Sequence, residues 1–346
     1  MRRPGIEPGL LAWEANVLPL DQRRAHDCFG PAYLNVASRT QTQGDRIEPN
    51  TRPETPSQRE SISSESPYGY VMTNVEAVQE KTGVELLFSD SELEARREHI
   101  VEFIADLVDD AGAEGAVIGL SGGIDSTTTA YLAVEALGAD SVHGLLMPSS
   151  ANAEADETDA GRVAETLGVE SDTIDINPIV DAFVDAAPDH AAEDRMALGN
   201  VRVRTRAVLN YFVANAEDRV VLGTGNRSEA ATGYYTKYGD QAVDCNPIGN
   251  LYKCQVRQLA RSMGVPEDLV TRTPTAGMWK GQTDEGEMGL GYDGLDAILA
   301  LHVHGPLSKH ATVETLDVPA EAVDRVVELH ETSAHKRAMP PAPEPL

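Results

Sequence analysis

From Ser91 onward the apolar positions fall into a regular rhythm. Ile100, Phe103, Ile104, Leu107 and Val108 return at helical spacing and mark one apolar face. A short apolar run, Val117–Leu120, then has the length of a buried strand, and Ser126–Leu137 reads as a helix ended by Gly138. The alternation continues with a strand over Val142–Met147, a helix over Asp156–Leu167 closed by Gly168, and a strand over Asp172–Ile176. A long helix over Arg202–Ala216 and a strand over Val220–Leu222 follow, then helices over Val256–Met263, Tyr292–Leu301 and Ala320–Ala334. Strands alternating with helices predict an α/β fold, a doubly wound and mostly parallel sheet with helices on both faces.

The first 71 residues break this rhythm. They are rich in Pro, Ser, Gln, Arg and Thr, and "NTRPETPSQRESISSESP" has no apolar period. Such a composition buries too little surface to fold alone. Residues 1–71 read either as a disordered extension or, the favoured reading, as a segment upstream of the true start at Met72. Residues 72–339 form the expected catalytic domain, and the Pro-rich 340–346 a frayed tail. No run is long and apolar enough to span a bilayer, and the apolar part of the N-terminus is interrupted by Pro4, Glu7, Pro8 and Glu14. A cytoplasmic protein is expected.

Charge narrows the partners. The net charge is −28, and residues 1–71 are nearly balanced, so almost all of it lies on the folded part. The lysines are Lys81, Lys237, Lys253, Lys280, Lys309 and Lys336. So acidic a surface repels nucleic acid and anionic membranes. It suits molar salt, where the Debye length shrinks to about 3 Å, and a halophilic source is expected. The three cysteines form no CxxC pair, which gives neither a disulfide framework nor a zinc site.

The candidate chemistry begins at "SGGIDS", Ser121–Ser126, between a predicted strand and a predicted helix. In an open α/β sheet this is where ligands bind. Gly122 and Gly123 let the backbone approach an anion, and the helix start favours phosphate. Asp125 beside phosphates calls for a Mg²⁺ between them. There is neither a Gly-Lys-Ser/Thr nor a GxGxxG, which excludes the two commoner phosphate loops.

SGGIDS resembles the PP-loop of the ATP pyrophosphatases, which split ATP between its α- and β-phosphates. Downstream, "ALGNVRVRTR" (197–206), "VVLGTGNRSEAATGYYTKYGDQAVDCNPIGNLYK" (220–253), "TPTAGMWKGQTDEGEMG" (273–289) and "HKR" (335–337) closely resemble the NAD synthetase family, in family order. The resemblance implies ligation of ammonia to the nicotinate carboxylate of deamido-NAD, with ATP giving AMP and pyrophosphate. It implies that Gly119, Leu120, Ser121, Gly122, Gly123, Ile124, Asp125 and Ser126 bind ATP, with Thr224, Lys253 and Thr275. Asp125 and Glu229 are the implied Mg²⁺ ligands. Arg204, Lys237, Asp244, His335 and Lys336 are the implied deamido-NAD contacts, and Asp125, Lys237, Asp244 and Lys253 the catalytic set. Arg202, Arg204 and Arg206 lie on different sides of one helix, so they do not all face one ligand, and Arg202 reads as an exposed surface residue. Residues 277–289 look like a lid with four glycines. Asp244 or Asp284 is the candidate to orient ammonia and take its proton. Arg227 stands where the family usually has Lys.

The family's glutamine-dependent members carry a glutaminase domain with a Glu-Lys-Cys site. Residues 1–90 are too short for it, so the chain resembles the ammonia-dependent, homodimeric type; a separate glutaminase subunit stays open. The alternatives are another PP-loop ligase, GMP synthetase-like or tRNA-modifying, and a non-catalytic nucleotide-binding protein. The acidic surface speaks against a tRNA enzyme.

Overall fold

Ser89 starts the first helix whose bounds lie within the described residues. Its hydroxyl accepts from the Glu92 amide while the Glu92 carboxylate accepts from the Ser89 amide, which satisfies two orphan donors at once. The helix α1, Asp90–Ala111, buries Leu93, Ile100, Ile104 and Val108. The computed structural model describes residue 79 and residues 86–148, 153–279 and 281–343, without the side chains of 153–158. The expectations for residues 1–71 lie outside the described residues.

Among the described residues four strands follow the predicted alternation: β1 Gly115–Leu120, β2 Val142–Leu146, β3 Glu170–Thr173 and β4 Arg219–Leu222. Between them run α2 Ile124–Leu137, α3 Ala153–Leu167, α4 Asn177–Ala186 and α5 Arg195–Ala216. All pairings are parallel and the order is β3-β2-β1-β4. Successive strand residues face opposite sides. Val117, Leu145 and Val221 pack with Ile176, Val180 and Ala214 on one face. Ile118, Leu120, Val142, Leu146 and Leu222 meet Ile100, Ile104, Leu132 and Val163 on the other. The sheet is therefore covered on both sides, as the alternation predicts.

After β4 the chain adds α6 Arg227–Thr232, α7 Lys253–Ser262, α8 Tyr292–Ile298, α9 Lys309–Leu316 and α10 Ala320–Thr332. Tyr252, Tyr292, Leu295, Ile298, Val323 and Val326 form a second core here. Among the described residues no helix is long and apolar enough to cross a membrane.

Several bounds differ from the sequence pattern. The third strand is Glu170–Thr173 and its residues are exposed, whereas the pattern placed it over 172–176. Ile174 and Ile176 drew that reading, but they enter the core through their side chains as the ladder ends. The long helix starts at Arg195, not Arg202, because the Asp194 side chain accepts from the Ala197 amide at 2.7 Å. The helix from Tyr292 turns to π geometry over Leu299–Val303, with the His304 amide bonded to the Leu299 carbonyl at 2.8 Å.

Candidate active site

The first loop of the site is a strand-to-helix turn tightened by serines. Gly122 has φ of +73°, a conformation that favours glycine. The Ser121 and Ser126 hydroxyls lie 3.0 Å apart, the Gly123 amide donates to Ser121 Oγ, and Ser126 Oγ donates to the Gly123 carbonyl. The start of α2 thus opens onto a cavity of about 670 Å³, lined from Gly119 to Ser126 except at Gly122. An anion at this end meets the positive end of the helix dipole.

The second loop follows β4, the neighbour of β1 in the sheet. The chain leaves β1 into α2 on one face of the sheet and enters β4 from α5 on the other, and the loops after both strands line one crevice at their carboxyl ends. Thr224 lines it. Asn226 caps α6: its side chain accepts from the Glu229 amide at 3.0 Å, and the Glu229 carboxylate accepts from the Asn226 amide. The other end of the Asn226 side chain donates to Asp125 Oδ1 at 2.9 Å. The two loops are joined through this amide.

Lys253, the first residue of α7, completes the centre. It is 2% exposed, donates to Asp125, and places Nζ 3.6 Å from Glu229 Oε1 and 5.0 Å from the Tyr292 ring centroid. Burial alone would push the Lys253 amine down; Asp125 and Glu229 outweigh it and hold it above its ordinary range. Burial, then the nearby Asp125 charge, pushes Glu229 up to about 8. Asp284 adds a third carboxylate to this field and is itself raised by burial. It accepts from the Tyr292 hydroxyl at 2.9 Å, and its other oxygen is buried without a hydrogen-bond partner. Among the described residues no group of three or more His, Cys, Asp or Glu is arranged to hold a metal unaided.

Three further cations of the lining are linked to one another through backbone carbonyls and the 335–336 segment. Arg204 donates to the Lys237 carbonyl at 3.1 Å, and Lys237 donates to the His335 carbonyl at 2.8 Å. Lys336 donates to the Gly233 and Tyr235 carbonyls at 2.6 and 2.7 Å. Arg204, Lys237 and Lys336 line the cavity, while His335 stands behind Lys237. Asp244 lies outside the lining. Its oxygens accept from the Val221 amide at 2.7 Å and the Tyr211 hydroxyl at 3.1 Å, which ties the loop to β4 and α5.

Thr275 lines the cavity at the start of the lid-like segment. That segment is docked on α5. The Arg195 guanidinium lies 4.4 Å from the Trp279 ring centroid, and Arg202 donates to the Met278 carbonyl at 3.2 Å. Arg202 is therefore half-buried against the lid and not a plain surface residue. Gln282, Asp284 and Met288 are buried, so the second half of the segment is packed despite its glycines.

The sequence reading missed several lining or supporting groups. Arg206 lines the cavity and donates to the Met147 carbonyl at 3.0 Å. Arg272 reaches the Gly122 carbonyl and pairs with Asp159 at 2.8 Å. Asn226 carried a readable signal, since Asn followed three residues later by Glu is a capping box. The roles of Arg206 and Arg272 had no local signal, because their partners lie far away in sequence.

Fold and site together define an α/β enzyme with a PP-loop-type phosphate site at its switch point. The NAD synthase family model matches residues 96–340. The NH(3)-dependent NAD(+) synthetase of Halobacterium salinarum is 61% identical over 260 residues, covering 75% of this chain and 97% of that protein. The solved NMN synthetase of Francisella tularensis has 36% identity and a TM-score of 0.65 over 74% of this chain and 99% of that one. The NH3-dependent NAD synthetase of Campylobacter jejuni, solved with nitrate, has 30% identity and a TM-score of 0.62 over 73% and 99%. The chain belongs to the NAD synthase family, which sets aside a GMP synthetase-like ligase.

Proposed function

We propose that the protein is an ammonia-dependent NAD synthetase. It ligates ammonia to the nicotinate carboxylate of deamido-NAD and converts ATP to AMP and pyrophosphate. The observation that carries this reading is the meeting of Asp125, Glu229 and Lys253 at the mouth of the Ser121–Ser126 turn, in a chain of this family.

A carboxylate resists nucleophiles because its carbon is shielded by negative charge. Transfer of AMP to one oxygen creates a leaving group, and ammonia then displaces it. The protein's part is positioning and charge stabilisation. Gly119–Ser126, Thr224 and Thr275 hold the ATP, with Lys253 on its phosphates. Arg204, Lys237 and Lys336 hold the anionic dinucleotide, with His335 as support for Lys237. Asp244 acts through Tyr211 and β4, or from a partner copy. Asp284, with an unpartnered buried oxygen near the centre, suits the task of orienting ammonium and taking its proton better than Asp244. The segment 273–289 excludes water from the adenylate.

The donor set fits Mg²⁺. Asp125 and Glu229 offer hard oxygen ligands, and Mg²⁺ is commonly held by one or two carboxylates plus substrate phosphates. A raised Glu229 carboxyl beside Asp125 is what a divalent charge would relieve. When bound, the ion supplies charge neutralisation of the triphosphate. A homodimer is supported by Val208 and Phe212, 67% and 72% exposed and one turn apart on α5.

The test is formation of NAD, AMP and pyrophosphate from ATP, deamido-NAD and ammonium in molar KCl. Equal use of glutamine by the pure protein would refute ammonia dependence. Because one structural neighbour is an NMN synthetase, nicotinate mononucleotide serves as the competing substrate. A preference for it would replace deamido-NAD in this reading.

A further inference from the structure

Asp296 is fully buried on α8, away from the cavity lining. One of its oxygens accepts from the Ser228 hydroxyl, and the other accepts from the Cys254 amide at 2.9 Å. Ser228 Oγ in turn accepts from the Lys253 amide at 2.9 Å. Ser228 precedes Glu229, and Cys254 follows Lys253. A single carboxylate thus ties together the first turns of α6 and α7, the two helices that present Glu229 and Lys253.

We infer that Asp296 is the positioning residue that sets the Lys253 amine against the Glu229 and Asp125 carboxylates. This rests on the proposed roles of Lys253 and Glu229. A buried carboxylate is costly unless hydrogen-bonded. Burial pushes Asp296 up to about 6, while the Ser228 and Cys254 donors pull the other way. Two helix starts converge on it, and both favour an anion there. A side chain that only filled space would need neither charge nor two donors from the helices of the active centre. Asp296 touches no substrate on this geometry; it acts through the backbone positions of its neighbours.

The experiment is a double-mutant cycle of Asp296→Ala with Lys253→Ala, read by radiolabelled AMP release in molar KCl. Asp296→Ala is expected to lower kcat by about 100-fold, the scale of a misplacement near 1 Å. The KM for deamido-NAD should stay within about twofold, because Asp296 bonds to Ser228 and Cys254 and not to the Arg204, Lys237 and Lys336 cations. Asp296→Asn, able to accept from Cys254 and donate to Ser228, should recover most of the loss. In the Lys253→Ala background the same Asp296→Ala change should cost under about threefold, since its target is gone. Additive losses would overturn the inference, as would a KM increase with kcat unchanged. If Asp296→Ala does not fold, Ser228→Ala replaces it in the cycle, since it cuts the same tie. Full activity of Lys253→Ala alone would overturn the proposed site as well, whereas impaired Lys253→Ala with additive losses overturns only the role of Asp296.

Discussion

Lys253 donates to Asp125 across 128 residues of sequence, and this pair joins the Ser121–Ser126 loop to the start of α7. The amine is buried, and the Asp125, Glu229 and Asp284 charges beside it hold it above its ordinary range. Both Asp125 oxygens are engaged, one by Asn226 and one by Lys253.

Lys253→Met should leave these carboxylates uncompensated. Removal of one partner of a buried pair costs about 3–5 kcal/mol. Thermal unfolding in molar KCl should show a clear drop in midpoint, and NAD synthesis should fall by more than about 100-fold. Millimolar Mg²⁺ should raise the midpoint of the variant more than that of the wild type, because the ion binds only the folded site. An unchanged midpoint would remove Lys253 from its place as the balancing cation.

His304 gives a pH dependence of stability. Burial, then the charges of Arg227, His330 and Arg337, lowers it from 6.5 to about 4. The Tyr252 hydroxyl lies 2.7 Å from its Nδ1. The folded protein holds the neutral ring, so unfolding takes up a proton below pH 6.5. This stability is full above pH 6.5 and is lost as the pH falls from there toward 4. Urea midpoints between pH 7 and 4.5 should fall less steeply in His304→Gln than in the wild type. Parallel slopes would show that the ring is not held neutral.

Trp279 reports the lid. The chain has two tryptophans, so a Trp13→Phe background isolates its emission. Arg195→Ala removes the cation stacked on Trp279, and the emission should shift to the red. Water then reaches the adenylate, and AMP release should exceed NAD formation. Tight one-to-one coupling in the variant would show that the Arg195 contact does not hold the lid.

Val208 and Phe212 test the homodimer. Light scattering should give about twice the 37.1 kDa chain mass for the wild type. Val208→Lys with Phe212→Glu should halve it, because charges enter an apolar contact. A wild-type monomer in molar KCl would end the proposal.

Salt is the last variable. The chain has 56 Asp and Glu against 28 Lys and Arg. Self-repulsion on this scale weakens as the Debye length shrinks. The unfolding midpoint should rise from dilute buffer to molar KCl, and equal stability in both would sink the halophilic reading.

The alternation of apolar runs was enough to read the parallel sheet and its flanking helices, because β1 and β2 are buried on both faces, β1 as an unbroken apolar stretch and β2 interrupted only by His143. The Ser121–Ser126 turn was legible for a local reason: its glycines and serines satisfy one another within six residues. The edge strand Glu170–Thr173 was not, since an exposed strand shows no apolar pattern, and its position follows only from pairing with β2. Helix α6, six residues long, is too short to show a period.

The sequence by itself determined the class of fold, the phosphate loop, and the carboxylates and lysines available to the chemistry. These are local properties of spacing and side-chain type. Only the tertiary structure decided that Asp125 meets Lys253 and Asn226, that Arg202 meets the Met278 carbonyl, and that Asp296 ties Ser228 to Cys254. Each of these links crosses from one element to another. Such contacts depend on how buried helices stack against the sheet, and side-chain periodicity carries no record of which partner lies opposite.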